Sequence, residues 1–372
     1  MSKDRIYLDY NATAPMLECV RDAMVEVMMM PHNPSSVHRE GRAAKSLIER
    51  CRKDVAQHLS CFPHEIIFTS GGTEANNLAL CGVGNMPLAV AVTEHSSVRA
   101  VRSDAYFLPV LSSGLLDMQA LEAWLMRTPA PMLVAVMLAN NETGVIQPIA
   151  EIAKLVHTYG GLLHCDAVQA CGKIPVDMGM IHADMLSISG HKIGAAQGIG
   201  LLVVRHEYPM TPLIVGGGQE LGRRGGTEAV PLIVGFATAI NWMQRNNAWR
   251  EKVRVWRDAW EQHIMMYSGS DASIILGYDA PRLPNTSCVR MKGRSSEVQL
   301  MSYDLASIAV SAGSACSSGR IAPSHVVAAM LGSDAGSEND IVRISMGWNS
   351  TEADIHTMRD AWCAAYDKTN RS

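Results

Sequence analysis

Met185-Leu-Ser-Ile188 is a short apolar run, and Ser189-Gly-His-Lys192 closes it with small polar residues and a single lysine. A strand buried on both faces of a parallel sheet has this form, apolar through most of its length and ending in a turn. Runs of the same kind stand at Ile66–Thr69, Leu88–Val92, Leu133–Leu138, Leu162–Cys165 and Ile199–Val204. Helical patterns lie between them. Ile149, Ile152, Ala153 and Val156 fall at i, i+3, i+4 and i+7, and Gly160-Gly161 follows as a stop. Strand and helix alternating in this way predict an α/β domain with right-handed crossovers. Such a sheet binds ligands beyond the carboxyl ends of its strands.

The pattern changes past about residue 250. A charged, Trp-containing helical segment, Trp249 to Tyr267, leads into a less regular region with Pro281, Pro284 and the small-residue neighbourhood Ser311–Gly319. The expected division is a large domain over 16–255 and a small domain made of 1–15 with 256–372. The length of 372 residues, 48% of them hydrophobic, supports a large core beside a smaller one.

Charge and composition exclude several classes of function. A net charge of −4 leaves no basic surplus for nucleic acid or an anionic membrane surface. The longest apolar runs are too short to span a bilayer, and the N-terminus has no apolar signal core, so a soluble, cytoplasmic protein is expected. The nine cysteines are scattered, odd in number and without a CxxC pair. They predict neither a structural zinc site nor a disulfide framework. The 23 methionines read as core filling, with no metal site.

Three features at strand ends belong together. Lys192 follows the strand at Met185–Ile188. Asp166 ends another apolar strand in His164-Cys-Asp166-Ala-Val-Gln169. Thr69-Ser-Gly-Gly-Thr-Glu-Ala-Asn76 is a glycine-rich turn from strand to helix, where backbone amides gather an anion. An amine, a carboxylate and a phosphate cradle are what pyridoxal 5'-phosphate (PLP) needs. Taken alone, Lys192 reads as a surface lysine, but the combination argues otherwise. His95 taken alone reads as a structural histidine.

The sequence resembles the cysteine desulfurases of the NifS/IscS type, within the class V aminotransferase-like PLP enzymes. The resemblance runs over nearly the whole chain. It includes Tyr7-Leu-Asp-Tyr-Asn-Ala-Thr-Ala14, His32-Asn-Pro-Ser-Ser36, the Thr69–Asn76 turn, Glu94-His95, Asn140-Asn-Glu-Thr-Gly144, Asp166-Ala-Val-Gln169, Ser189-Gly-His-Lys192, Gly216-Gly-Gly-Gln-Glu220, Arg223-Arg-Gly-Gly-Thr227, Ser311-Ala-Gly-Ser-Ala-Cys316 and Val342-Arg-Ile-Ser345. It implies the aspartate aminotransferase-like fold (fold type I), with a mostly parallel sheet in the large domain and a smaller α+β domain.

It also implies roles. Lys192 would carry the cofactor and shuttle the proton at Cα. Asp166 would pair with the pyridinium nitrogen, His95 would stack on the ring, and Gln169 and Asn141 would stand at the ring oxygen. Gly72, Thr73, Ser189 and His191 would hold the phosphate, with Thr227 reaching it from a second subunit, which makes the expected unit a homodimer. Arg343 would grip the carboxylate of L-cysteine, with Asn33 and Asn141 as further substrate contacts.

Cys316 would be the nucleophile that becomes a persulfide as L-alanine leaves. Its surroundings, Ser311-Ala-Gly-Ser-Ala-Cys-Ser-Ser-Gly319 with Arg320, are small and polar, and a nearby cation favours the thiolate. A sulfur-acceptor protein such as an iron–sulfur scaffold is the implied partner. Trp348 stands where the family commonly has an arginine, and the short end after Thr351–Tyr366 fits a specialised, NifS-like role. The alternatives are a selenocysteine lyase or another class V aminotransferase-like enzyme. A catalytically silent regulatory relative would have lost Lys192, Asp166 or Cys316, and all three are present.

Overall fold

The computed structural model describes residues 5–205, 208–269, 273–313, 323–332 and 339–370. Its strands are β1 (Ile6–Tyr7), β2 (Ile66–Thr69), β3 (Leu88–Ala91), β4 (Tyr106–Leu108), β5 (Leu133–Ala135), β6 (Leu162–Asp166), β7 (Met185–Ser189), β8 (Gly200–Val204), β9 (Ser273–Ile275), β10 (Thr286–Met291), β11 (Ile308–Ala309) and β12 (Ile341–Ser345).

Seven strands form one sheet in the order β2-β8-β7-β6-β5-β3-β4. β3, β4, β5, β6 and β7 pair in parallel, while β8 runs antiparallel to both β7 and β2. The sheet is therefore mostly parallel, as the sequence predicts. Every residue of β2, β3, β5, β7 and β8 is buried, which explains why these strands read as continuous apolar runs. Helices cover the sheet. Ile149–Thr158 buries Ile149, Ile152, Ala153 and Val156, the stripe that the sequence spacing specifies.

Glycine is required where this layer closes on the future site. A Cβ on Gly72, the first residue of the helix Gly72–Gly82, would stand 2.8 Å from Val168 Cγ2. The helix start is thereby pressed against the end of β6.

A second sheet, β12-β10-β9, is antiparallel, and β1 pairs in parallel with β11. Leu8 packs in the core of Trp260, Val289, Tyr303, Val342, Ile344 and Trp362, apart from the main core. The helix Ala248–Ser268 runs unbroken through residue 255, and its Trp249 touches both cores. No helix among the described residues is long and apolar enough to cross a membrane.

Candidate active site

The carboxyl ends of β2, β3, β5, β6 and β7 converge on a cavity of about 750 Å³. Gly72, Thr73, His95, Asn141, Asp166, Gln169, Ser189, His191, Lys192 and Arg343 all line it. These are the expected site residues except three. Asn33 is exposed, accepts a hydrogen bond from Ser35 N (3.1 Å) and does not line the cavity. Thr227 is exposed and does not line it either. Cys316 lies outside the described residues.

Lys192 follows β7 on a short 3-10 turn. Its Nζ donates to the carbonyls of Asn11 (2.6 Å) and Ala12 (2.7 Å). Main-chain oxygens thus hold the amine where it faces the cavity.

Asp166, at the end of β6, is 5% exposed. One oxygen accepts from Asn76 Nδ2 (2.8 Å) and the other from Val168 N (2.9 Å). Burial raises the proton affinity of its carboxyl group, while those two donors and the nearby His95 and Lys192 oppose the rise. A carboxylate held by neutral donors in a closed place is suited to a cationic partner. Glu94, fully buried near Asp166, is pushed well above the ordinary carboxyl range by burial and then by Asp166. It reads as the neutral member of the two.

His95 caps the short helix Ser96–Arg99 and accepts at Nδ1 from Ser97 N (3.1 Å). Burial lowers its proton affinity against the opposing pull of Asp166, and the ring lines the cavity. His191 is pushed down to about 4, first by burial and then by Lys192. Beside Thr73, Ser189 and the Gly72 helix start it adds a neutral ring to an anion cradle.

Arg343, on β12, donates to Asp9 Oδ1 (2.7 Å) and to the Asn141 carbonyl (3.0 Å). Asp9 Oδ2 also accepts from Ser311 Oγ (2.7 Å). Glu142 accepts from Ser324 Oγ (2.5 Å). Described residues on both sides of the Cys316 segment are thus hydrogen-bonded to the groups around the cavity.

Several residues here received no role from the sequence. Asn76 orients Asp166, and Asp9 holds Arg343. Asn11 is almost fully buried between Lys192, Gln169 and Thr286. Each lies inside or beside a motif already singled out, but only the folded chain brings Asn11 and Asp9 across to β6 and β12.

The residues fit PLP on structural grounds. A lysine amine and a buried carboxylate share one cavity, and a helix start that excludes even a Cβ lies on its wall. The chain belongs to the Aminotransferase class-V family, whose profile matches residues 6–358. Among named relatives, a cysteine desulfurase of Nostoc sp. is 39% identical, over 94% of this chain and 90% of that protein. A NifS-like protein from Rickettsia africae superposes with a TM-score of 0.89 at 33% identity, covering 98% of this chain and 99% of that one. A structure of SspA in complex with cysteine superposes with a TM-score of 0.78 at 31% identity, covering 92% and 98%. Fold and family agree with the expectation of a PLP-type α/β fold.

Proposed function

We propose that this chain is a PLP-dependent cysteine desulfurase, which removes sulfur from L-cysteine and leaves L-alanine. The observation that carries the reading is the meeting of Lys192, Asp166, His95 and Arg343 in one cavity. The relatives' names, and the cysteine bound to SspA, support L-cysteine as the substrate.

PLP bound here would supply an electron sink for the charge that develops at the substrate Cα. Lys192 would hold the cofactor and then move the proton at Cα. Asp166, oriented by Asn76, would keep positive charge at the ring nitrogen. His95 would cover one ring face, and Gln169 and Asn141 would flank the ring oxygen. Gly72, Thr73, Ser189 and His191 would hold the phosphate. Arg343 would receive the substrate carboxylate on its planar fork, sharing it with or taking it from Asp9.

The Cys316 thiolate would collect the sulfur. An S–S bond forms as the substrate Cβ–S bond breaks, the electron pair stays on carbon, and protonation there completes L-alanine. The persulfide would then pass to an acceptor such as an iron–sulfur scaffold in the cytoplasm. A homodimer in which Thr227 completes the phosphate site of a second copy is part of the same reading. The exposed Leu213, Ile214, Val215 and Leu221, on the same stretch of chain, support a covering partner there. The division into 16–255 and 1–15 with 256–372 is supported by the core of Leu8, Trp260, Tyr303, Val342 and Trp362, which lies apart from the main one.

The test is alanine release from L-cysteine by purified protein, read beside the visible absorption of bound PLP. Wild type is expected to be yellow and active. Lys192→Ala is expected to lose covalent PLP and at least about a thousandfold in rate. A colourless, inactive wild type that stays so after PLP is added would overturn the proposal.

A further inference from the structure

A second lysine lies behind the site. Lys173 stands one helical turn beyond Gln169, on the turns that follow β6, and is 4% exposed. It does not line the cavity. Its Nζ donates to Gln169 Oε1 and to Asn11 Oδ1, both at 2.6 Å. Burial, and then Lys192 and Arg343, hold its proton affinity well below that of an ordinary lysine, against the pull of Asp9 and Cys171. Two side-chain amide oxygens are in place to accept its N–H groups.

The consequence concerns direction. A lysine amine offers hydrogens to its neighbours, so both side-chain amides must turn their oxygens toward it. Gln169 is then left with only N–H groups to present elsewhere. One goes to the Asn11 carbonyl (2.9 Å), and the other is free for the cavity that Gln169 lines. Asn11 is fixed in the same way. Its Nδ2 donates to Thr286 Oγ1 (2.9 Å), and its carbonyl receives Lys192 Nζ (2.6 Å).

We propose that Lys173 is a positioning residue that locks the Gln169 amide so that it can only donate to the ring oxygen of PLP, while anchoring Asn11 beneath Lys192. This rests on the PLP reading of the site. Without Lys173, Gln169 can turn its oxygen to the cavity, and an acceptor there would repel a ring oxygen that carries negative charge. Donation stabilises the deprotonated form of the cofactor chromophore, so losing it raises the pH at which the visible band titrates.

The experiment is a pH titration of the visible absorption of the holoenzyme, in wild type, Lys173→Met, Gln169→Leu and the double variant. The midpoint is expected to rise by about one pH unit in Lys173→Met, a tenfold change in the equilibrium. It should not move further when Lys173→Met is added to Gln169→Leu. Lys173→Gln, which keeps two N–H donors, is expected to return toward the wild-type midpoint. An unchanged midpoint in folded Lys173→Met, or an equal shift in the Gln169→Leu background, overturns the proposal. Neutron diffraction from the wild-type holoenzyme needs no variant. Deuterium on the Gln169 atom facing the ring oxygen supports the proposal, and an oxygen in that place overturns it. A wild type with no visible band would instead defeat the PLP reading itself.

Discussion

Asp166 acts through its surroundings. The same carboxyl in water would neither need nor hold a buried cation, but here Asn76 and Val168, with His95 and Lys192 nearby, compensate its burial. Asp166→Ala is expected to lower kcat/KM for L-cysteine by about a hundredfold to a thousandfold, because charge stabilisation in a closed site is a large part of catalysis. Asn76→Leu, which removes one charge-assisted hydrogen bond, is expected to cost about tenfold. Steady-state alanine release measures both. At this scale Lys192, Asp166 and the glycine-rich turn were legible from residue type at the end of an apolar run. Asp9, Asn11 and Lys173 were not. Asp9 with Arg343, and Asn11 with Thr286 and Lys173, find their partners far away in sequence, and the nearby Lys173–Gln169 pair gains its meaning only when Asn11 joins it.

Among the elements, the helix Gly72–Gly82 sets the geometry of the anion cradle. Gly72→Ala would bring a Cβ to 2.8 Å from Val168 Cγ2, so the helix start or the Val168 side chain must shift. Retention of PLP is expected to weaken about tenfold, read by dialysis and absorption, with little change in the fold. Trp348 has a different role. Its ring meets Tyr10, Trp242 and Trp249 edge-on, with centroids 5.2, 5.6 and 6.0 Å away. It joins the N-terminal segment and two helices at the meeting of the two cores. Trp348→Ala is expected to cost about 3 kcal/mol in denaturant unfolding. The strands of the main sheet were legible because burial on both faces writes itself as an apolar run. β4 was not, since Tyr106 and Phe107 are exposed at the sheet edge. β10 and β12 are buried but carry polar residues such as Thr286, Ser287, Arg343 and Ser345, and their pairing across a long separation depends on contacts that no short window contains.

The whole molecule couples its buried groups to pH. His164 is fully buried on β6, bonded to Ser187 Oγ (2.9 Å), and burial pushes it down to about 3. Its unfolded form titrates near 6.5, so the unfolded chain binds the proton first as pH falls. The contribution of His164 is therefore complete above pH 6.5 and is lost as the pH falls toward 3. Between pH 7 and pH 4.5 that loss is about 2 to 3 kcal/mol. Denaturant midpoints for wild type and His164→Gln at the two pH values measure it, and the variant is expected to be less sensitive to acid.

The central claim is that sulfur leaves L-cysteine and arrives on Cys316. The most direct measurement is the mass of the Cys316 peptide after brief exposure of the enzyme to L-cysteine without reductant. The account predicts a gain of one sulfur atom on that peptide, alongside released alanine, and no gain in Lys192→Ala. An unmodified Cys316 peptide while alanine is still released would contradict it.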